Sequence, residues 1–401
     1  MKKFLVLVVA ILMVLQIAAC SKQETPAAPA TTNEVQEPAD TQEPASETKD
    51  NRVQVNDMLW GVEPLPEKTK LVVAYIGNSS PPLTNYIATQ KGWMDAVNLE
   101  IETVMFNNGP AQMEASSAGA WDCASTGIGG VITGVIGHDL KVLATAARDE
   151  GGHQAFFARK DSPIVADGTG YSSAEGVYGK PETWKGKDIL CAKGTTNHFT
   201  LYKVLDSLGL TLDDVNIINM DVSSANTAFL AGTGDVVGVW GSLLYTDDKK
   251  DLVMVANDAM VKTGIVTNYV ATGEAWGKKR EAIEKWLELC IMAGEWAEAN
   301  LQKAAEMMVE MNADDGFPSK VEDCYTILDN NPYATLEDNY KYYTEKNEKG
   351  DMLIAEAQIY DAMSIFVKMG NYTEEQLNKL LAGDNFVGDP VKAIYSRVYG
   401  K

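Results

Sequence analysis

Short runs of buried-type apolar residues alternate with segments of helical periodicity over most of the chain, and this alternation limits the possible folds. Residues 71–76 form an apolar run of the kind found in strands that are buried on both faces, and helical segments separate it from further strand-like runs at 99–106 and 140–147. A second series of strands runs from 154 to 255. Repeated βα units predict an α/β protein with parallel sheets covered by helices on both faces.

The length of the folded part predicts two lobes, because about 345 residues are many for a single hydrophobic core. We interpret the strand-like run 266–271 as the return of the chain to the first lobe. Lobe 1 is then expected to comprise residues 61–153 and 266–401, and lobe 2 residues 154–265, with a two-segment hinge. Sheets of this kind bind ligands at the carboxyl ends of their strands, which predicts a site in an interlobe cleft. The Gly-, Ser- and Asp-rich stretch 161–186 is predicted to be a surface insertion.

The N-terminus has the pattern of an export signal. Two lysines precede an apolar run over residues 4–19, which is shorter than the roughly 20 apolar residues of a permanent membrane span and has the size of a signal-peptide core. The run ends in Ala-Ala-Cys at Cys20, which resembles the lipobox of bacterial lipoproteins, where the cysteine is lipidated. We therefore expect a lipoprotein signal peptide over 1–20 and a lipid on Cys20. The alternative is ordinary cleavage, with Cys20 incidental.

Residues 21–60 are expected to form a disordered tether. Prolines and acidic residues dominate this stretch and large apolar residues are few, so it cannot bury enough surface to offset its ordering entropy. These features predict an extracytoplasmic protein, on the periplasmic or outer face, that meets the cell membrane only through the lipid on Cys20.

The chain is strongly acidic, with 34 lysines and arginines against 56 aspartates and glutamates and a net charge of −22. A field of that sign disfavours nucleic acid and anionic lipid headgroups, although a local cleft can still bind an anion. The four cysteines after Cys20 show no Cys-x-x-Cys spacing, which gives no support for a metal or redox motif. We expect buried reduced thiols, with a disulfide involving Cys324 as the alternative.

Motifs of the common enzyme classes are missing from the sequence. It contains no Gly-x-Ser-x-Gly, no phosphate-loop lysine motif and no His-Glu-x-x-His. The stretch that begins at Gly127 lacks the last glycine of a dinucleotide-binding fingerprint, because Ile132 occupies that position. We therefore expect no catalytic residues, no cofactor and no metal.

Five short motifs follow one another in the order found in a known family. Residues 87–93 resemble an Ala-x-x-x-Gly-aromatic helix end, and residues 115–122 resemble a Leu-x-x-Gly-x-x-Asp turn. Residues 159–164 match Arg-x-Asp-Ser-x-Ile, 184–189 are close to Leu-Lys-Gly-Lys-Lys-Ile, and 205–215 match Leu-x-x-x-Gly-Leu with a later Asp-Val. This series resembles the periplasmic solute-binding proteins for taurine, alkanesulfonates and nitrate, of which the thiamine-pyrimidine proteins are distant relatives.

The resemblance implies a type II periplasmic binding protein fold and a monomer that carries a small-molecule ligand to an ABC permease and its ATPase. The hydroxyl-rich helix starts, together with one acidic residue, make taurine or another sulfonate the first choice of ligand. A nitrogenous solute or a thiamine-precursor pyrimidine is the alternative ligand. A ligand-sensing lipoprotein without a transport role is the alternative function.

Candidate ligand-binding residues lie where helices begin at the predicted cleft, because helix N-termini offer free N–H groups and a partial positive charge to an anion. The alternative is that Ser80 and Thr126 only cap their own helices. The resemblance adds the turn 194–198, for which a capping-only role is likewise the alternative. The complete set of candidate ligand-binding residues is Ser79, Ser80, Ser125, Thr126, Gly127, His153, Thr195, Thr196, Asn197, Asp221, Trp240 and Asn268.

Three of these residues carry specific expectations. His153 lies at the predicted crossing between the lobes, where it either donates to an anion or is an exposed hinge residue. Asp221 is expected to bind an amino group, as taurine requires. Trp240 is expected to cover the ligand, with ordinary core packing as its alternative.

Overall fold

The structure, a computed structural model, describes residues 51–148 and 151–401. The predicted signal peptide, Cys20 and the part of the predicted tether before residue 51 lie outside the described residues. Within the described ranges, no helix combines the length and the apolar character needed to cross a bilayer.

Two five-stranded sheets form the centres of the two lobes. The strands of lobe 1 are β1 (Thr69–Ile76), β2 (Leu99–Phe106), β3 (Cys123–Thr126), β4 (Leu140–Arg148) and, late in the chain, β10 (Val266–Thr272). The strands of lobe 2 are β5 (Gln154–Arg159), β6 (Asp188–Cys191), β7 (Asn216–Asn219), β8 (Val236–Trp240) and β9 (Leu252–Asn257). Their order is β2-β1-β3-β10-β4 in lobe 1 and β7-β6-β8-β5-β9 in lobe 2.

Helices cover both sheets and form a long C-terminal part. Those before β10 are α1 (Pro82–Gln90), α2 (Trp93–Ala96), α3 (Gly109–Ser116), α4 (Ile128–Gly137), α5 (Pro163–Asp167), α6 (Pro181–Trp184), α7 (Thr196–Ser207) and α8 (Val222–Leu230). Those after β10 are α9 (Gly273–Ala299), α10 (Leu301–Asp314), α11 (Val321–Asn330), α12 (Leu336–Tyr342), α13 (Ile354–Lys368), α14 (Glu374–Ala382) and α15 (Asp389–Tyr399).

Both sheets are mixed, which corrects the expectation of parallel sheets. Strand β10 is antiparallel to β3 and β4, and β5 is antiparallel to β8 and β9. These are the two strands by which the chain enters a lobe from the other lobe. Because each starts at the cleft and runs away from it, its direction opposes that of the βα strands, which end at the cleft.

Strands β3, β4 and β10 of lobe 1 are almost completely buried, whereas the edge strand β2 exposes half of its residues. Val73 and Cys123 pack on the side of α1 and α9, while their neighbours Ala74 and Ala124 pack on the side of α4 and α13. Successive side chains of a strand point to opposite faces, so one apolar run supplies both cores.

The stretch 161–186 packs more tightly than a surface insertion would. It contains α5 and α6, and its residues Ile164, Val177 and Trp184 are completely buried in the core of lobe 2. The indole nitrogen of Trp184 donates to the carbonyl of Tyr178 at 2.8 Å. A few apolar side chains among many glycines and serines therefore anchor the segment.

Residues 51–60, which the sequence assigned to the tether, pack against lobe 1. Val53 and Val62 exchange two backbone hydrogen bonds of 2.9 Å. Met58 is buried, and the indole nitrogen of Trp60 donates to Glu288 Oε1 at 2.9 Å.

The cysteines of the described residues are Cys123, Cys191, Cys290 and Cys324, and all four are buried free thiols. Burial raises the pKa of each of them, so the thiols stay protonated at neutral pH.

A buried carboxylate holds the first crossing between the lobes. Asp258, which follows β9, is completely buried. Its Oδ1 accepts from the amide of Gly152 at 2.6 Å, and its Oδ2 accepts from the amides of His153 and Gln154 at 3.0 and 2.7 Å. Charge-assisted hydrogen bonds of this kind are about twice as strong as neutral ones, so Asp258 fixes the start of β5.

Replacement of this carboxylate should destabilise the protein. Asp258→Asn replaces one acceptor oxygen with an NH₂ group, which is itself a donor. Backbone N–H groups that bond to that oxygen are then buried without a partner. We expect the free energy of unfolding to fall by about 2–3 kcal/mol, measured by urea titration. The control is Asp251→Asn on the exposed surface, where the loss should stay below about 0.5 kcal/mol. Equal stability of the two variants would contradict the role assigned to Asp258.

Candidate functional site

A cavity of about 70 Å³ lies in the cleft between the lobes. Its wall is built where strands of both sheets end and helices begin: α3 and α4 start at it from lobe 1, and α7 starts at it from lobe 2. The loop before α1 completes the wall on the lobe 1 side.

Nine of the twelve predicted residues line this cavity. They are Ser79, Ser125, Thr126, Gly127, His153, Thr195, Thr196, Asn197 and Trp240. Ser80, Asp221 and Asn268 are not part of the lining. Contact of any of the twelve with a ligand stays a prediction, since the structure describes the protein chain alone.

Glycines let the helix starts of the two lobes meet. A Cβ atom on Gly129, in the first turn of α4, would overlap the carbonyl oxygen of Gly194, which precedes α7. A Cβ atom on Gly127 would lie 2.8 Å from the hydroxyl of Thr196. The N-termini of α4 and α7 therefore face each other across the cleft, and the partial positive charges of both helix dipoles converge on the cavity.

Buried polar atoms without a hydrogen-bond partner surround the same cavity. Within the described residues, Thr126 Oγ1, His153 Nδ1 and Asn331 Nδ2 are buried, unpaired and part of its wall. Ser80 Oγ and Asn268 Oδ1, in residues adjacent to the wall, are also buried and unpaired. A buried polar group that lacks a hydrogen-bond partner costs about 1–3 kcal/mol. The presence of several such atoms around one cavity therefore indicates that a polar ligand supplies their partners.

The capping alternative does not hold for Ser80 and Thr126. The N-cap of α1 is Pro81 and that of α4 is Gly127, and neither helix has a side-chain cap. Thr195 does cap, because its hydroxyl accepts from the amide of His198 at 3.4 Å and donates to the carbonyl of Ala192 at 2.6 Å. The hydroxyls of Ser80 and Thr126 are thus not used by their helices.

Both histidines near the cleft favour the neutral form. His153 is only 6 % exposed, and desolvation lowers its pKa although the nearby Asp258 opposes the shift. Desolvation, assisted by the charge of Lys193, lowers the pKa of His198 to about 4. His153 is therefore buried and uncharged rather than an exposed hinge residue, and it offers a neutral hydrogen-bonding ring to the cavity.

Two of the three predicted residues outside the wall use their side chains in other contacts. The carboxylate of Asp221 caps α8 by accepting from the amide of Ser224 at 3.1 Å, so it is not placed to bind an amino group in the cavity. Asn268 Nδ2 donates to the carbonyl of Ala144 at 3.5 Å.

Several wall residues were not predicted from the sequence. Asn108 caps α3 by accepting from the amide of Ala111 at 3.0 Å. The sequence Asn-Gly-Pro at this point is typical of a helix N-terminus, so it could have predicted this residue. Gln154 begins the crossing strand β5 and accepts from Asn197 Nδ2 at 3.3 Å. Asn331 follows α11, in a part of the chain where no sequence pattern indicated a site.

The wall carries no fixed charge. Its described residues include no lysine, arginine, aspartate or glutamate. Across the described chain, no group of three or more His, Cys, Asp or Glu residues is arranged to hold a metal ion. The chemistry on offer is hydrogen bonding from hydroxyls, amides and helix N-termini, which suits a small oxyanion.

Asn78 joins the lobes beside the cavity. It lies in lobe 1 after β1 and is completely buried. Its Nδ2 donates to the carbonyl of Trp240 at 2.6 Å, and its Oδ1 accepts from the amide of Ser242 at 2.8 Å and from the hydroxyl of Ser242. We call this set of hydrogen bonds the Asn78 latch. It connects lobe 1 to lobe 2 through side-chain hydrogen bonds.

Comparisons with known proteins agree with this geometry. Residues 83–304 match the model of a family described as NMT1/THI5 like. A protein of Brachyspira hyodysenteriae, whose name describes it as an ABC transporter periplasmic binding protein, is 23% identical over 239 residues, which cover 60% of this chain and 68% of that protein.

Solved structures with a similar fold include two binding proteins. The alkanesulfonate-binding protein SsuA of Xanthomonas axonopodis pv. citri, bound to MOPS, has a TM-score of 0.60 at 16% identity and covers 80% of this chain and 99% of its own. The periplasmic nitrate-binding protein NrtA of Synechocystis PCC 6803 has a TM-score of 0.64 at 11% identity, with 84% and 90% covered. The predicted fold class, two α/β lobes with a two-segment hinge and an interlobe cleft, is confirmed.

The Asn78 latch predicts a variant that opens the lobes. Asn78→Ala removes every side-chain bond of the latch, so we expect the ligand-free protein to shift to an open form with a larger radius of gyration in small-angle X-ray scattering. Unfolding free energy should fall by about 1–3 kcal/mol, because partners in lobe 2 lose their bonds.

Asn98→Ala is the matched control for this variant. Both residues have a positive φ, 59° for Asn78 and 62° for Asn98, and Asn98 Nδ2 donates to the carbonyl of Leu65 at 2.7 Å within lobe 1. Its replacement should lower stability to a similar extent but leave the scattering curve unchanged. An Asn78→Ala protein as compact as the Asn98→Ala protein would show that the latch does not hold the cleft.

Proposed function

The chain belongs to the NMT1/THI5-like family, and from that membership and the geometry of the cleft we propose that it is the extracytoplasmic solute-binding component of an ABC importer. It acts as a monomer that binds a small oxyanion between its lobes and releases it unchanged to a membrane permease, which an ATPase drives. The observation that carries this proposal is the group of buried, unpaired polar atoms around a cavity between facing helix N-termini.

A sulfonate is the ligand that this wall favours. Three sulfonate oxygens can accept from hydroxyls and helix amides of both lobes at once, so the anion bridges the lobes and stabilises the closed form. The similarity of the fold to an alkanesulfonate-binding protein supports the same ligand class. Because the described wall has no carboxylate, a sulfonate without an amino group is favoured over taurine.

Nitrate is the second candidate, and the size of the cavity favours it. The volume of about 70 Å³ is roughly half that of an apolar cavity of about 150 Å³ that takes up benzene. A compact oxyanion therefore fits more readily than the ring of a thiamine-precursor pyrimidine.

Ligand binding should appear as a thermal shift. Methanesulfonate, ethanesulfonate, taurine, nitrate and an aminopyrimidine are the probes, and a ligand that binds the native state stabilises it by RT ln(1 + [L]/Kd). We expect the amino-free sulfonates to raise Tm most, and recovery of the ligand unchanged after incubation. No shift with any of these probes would overturn the proposed function.

The variant Thr126→Val tests the site itself, because it removes an unpaired buried hydroxyl while keeping the branched shape. We expect the ligand-free protein to be unchanged or more stable by about 1 kcal/mol, since the cost of an unpaired polar group disappears. Affinity for the sulfonate should fall about 10- to 100-fold, as expected for a hydrogen bond to a charged group, measured by calorimetry.

Thr145→Val is the matched control. The hydroxyl of Thr145 is also buried and unpaired within the described chain, but Thr145 lies in β4 away from the cavity. It should give the same change in stability with unchanged affinity. Equal sulfonate affinity of the Thr126→Val and Thr145→Val proteins would place the ligand elsewhere.

The proposed lipid on Cys20 has its own test. The full chain, expressed in a bacterium, should fractionate with membranes, whereas Cys20→Ser should release it or leave its signal uncleaved. Mass spectrometry of the purified N-terminus should show a diacylglycerol group on Cys20 in the unaltered chain. A mature N-terminus without lipid would favour ordinary cleavage.

A further inference from the structure

Lobe 1 contains a second cavity of about 260 Å³, larger than the one in the cleft. It lies between strands β1 and β2 on one side and helices α1, α9 and α10 on the other. Exposed Gln90 and Asp314 and half-buried Tyr86 form its rim, so solvent reaches it without passing through the cleft. We call it the side chamber.

Four aromatic residues contribute to its wall. Tyr269 and Trp286 at the deep end meet nearly at right angles, with an interplanar angle of 84° and ring centroids 5.5 Å apart. Tyr75 and Tyr86 lie nearer the rim. Several ring systems around one space form the arrangement that proteins use to bind alkylated ammonium groups, through attraction of a cation to the ring faces.

The charge of the wall has the matching sign. Its described residues include two carboxylates, Asp314 and Asp315, and no lysine, arginine or histidine. Asp315 Oδ1 accepts from the hydroxyl of Tyr75 at 2.6 Å, while its Oδ2 is buried and has no partner among the described residues. Burial raises the pKa of Asp315, as expected for a carboxylate whose charge is poorly compensated.

Two further polar groups in the wall are more than nine-tenths buried. Asn85 is 8 % exposed, and its Oδ1 accepts from the indole nitrogen of Trp286 at 3.0 Å, so the NH₂ group of the same amide is its remaining polar group. Ser125 is 5 % exposed and belongs to the walls of both cavities. These groups can serve a hydroxyl or carbonyl oxygen that is attached to the cation.

We propose that the side chamber binds a small organic ammonium ion that carries a hydroxyl or carbonyl group, at a site distinct from the interlobe cleft. The cation lies among the rings with Asp315 as its counter-charge, and the polar oxygen reaches towards Asn85. An anion is repelled by the two carboxylates. A metal ion finds too few ligands, because one oxygen of Asp315 is already bonded to Tyr75. The cavity exceeds the roughly 150 Å³ that accommodates benzene, so a ligand of this size fits.

Choline is the probe, compared with its neutral isostere in which a quaternary carbon replaces the nitrogen. Calorimetry on the full mature chain should detect choline at millimolar concentrations and detect the isostere at least about tenfold more weakly, since only choline has the charge that the rings and Asp315 attract. Equal binding of the two compounds would overturn the proposal, and so would the failure of choline to bind.

Asp315→Asn locates the site. It should weaken choline binding about tenfold or more, as expected for loss of a buried charge partner. Asp314→Asn, at the exposed rim where folding is not at risk, should weaken it about two- to fivefold. Asp251→Asn on the surface of lobe 2 is the control with unchanged affinity. Full choline affinity in both the Asp314→Asn and Asp315→Asn proteins would refute the site.

The cleft variant separates this proposal from the proposed function. Thr126→Val should keep full choline affinity, and Asp315→Asn should keep full sulfonate affinity. Loss of choline binding in the Thr126→Val protein would place the cation in the cleft and refute the side chamber, whatever the sulfonate results show. A protein that binds choline but no sulfonate would retain this inference and lose the proposed function.

Discussion

The carboxylate of Asp258 is the contact on which the relation between the lobes depends. It accepts from three successive amides at the point where the chain leaves lobe 1, and these bonds fix where β5 begins and in which direction it runs. The direction of β5 orders the lobe 2 sheet, and that sheet places the start of α7 opposite the start of α4. A single buried charge, satisfied by backbone N–H groups, therefore positions the two halves of the cavity wall.

The sequence predicted the strands well, because continuous apolar runs such as that of β1 have few other interpretations. It did not predict strand direction in the crossing strands β5 and β10, since apolar composition carries no information on which end of a strand faces the cleft. The glycines and serines of the stretch 161–186 led to the prediction of a surface insertion, which was wrong. The burial of Trp184 depends on tertiary contacts that this composition does not reveal. Local composition reports propensity, and tertiary packing decides burial.

The candidate site was predictable where it depends on helix starts. Hydroxyl and glycine residues around Thr126 and Thr195 signal helix N-termini, and the βα order puts those ends on one edge of each sheet. Asp221 lies outside the wall, because a residue at the end of a strand can cap its own helix as readily as it can bind a ligand. Asn331 was not predicted, because the C-terminal helices bring it to the cavity and no local pattern determines their arrangement. The buried polar atoms without hydrogen-bond partners are the strongest indication of a ligand, and they can be identified only in the folded chain.

The closeness of Gly129 to the carbonyl of Gly194 bears on how binding strength is set. A methyl group at position 129 would clash with lobe 2 in this arrangement and would increase the fraction of molecules whose lobes are open. Apparent affinity scales with the fraction of molecules in the binding-competent conformation, so the added methyl group would lower the affinity for every ligand by the same factor. Preference among guests would stay as it was, because the hydroxyls that discriminate between them are untouched. Strength and selectivity are thus encoded at different positions, and evolution is free to adjust one while preserving the other.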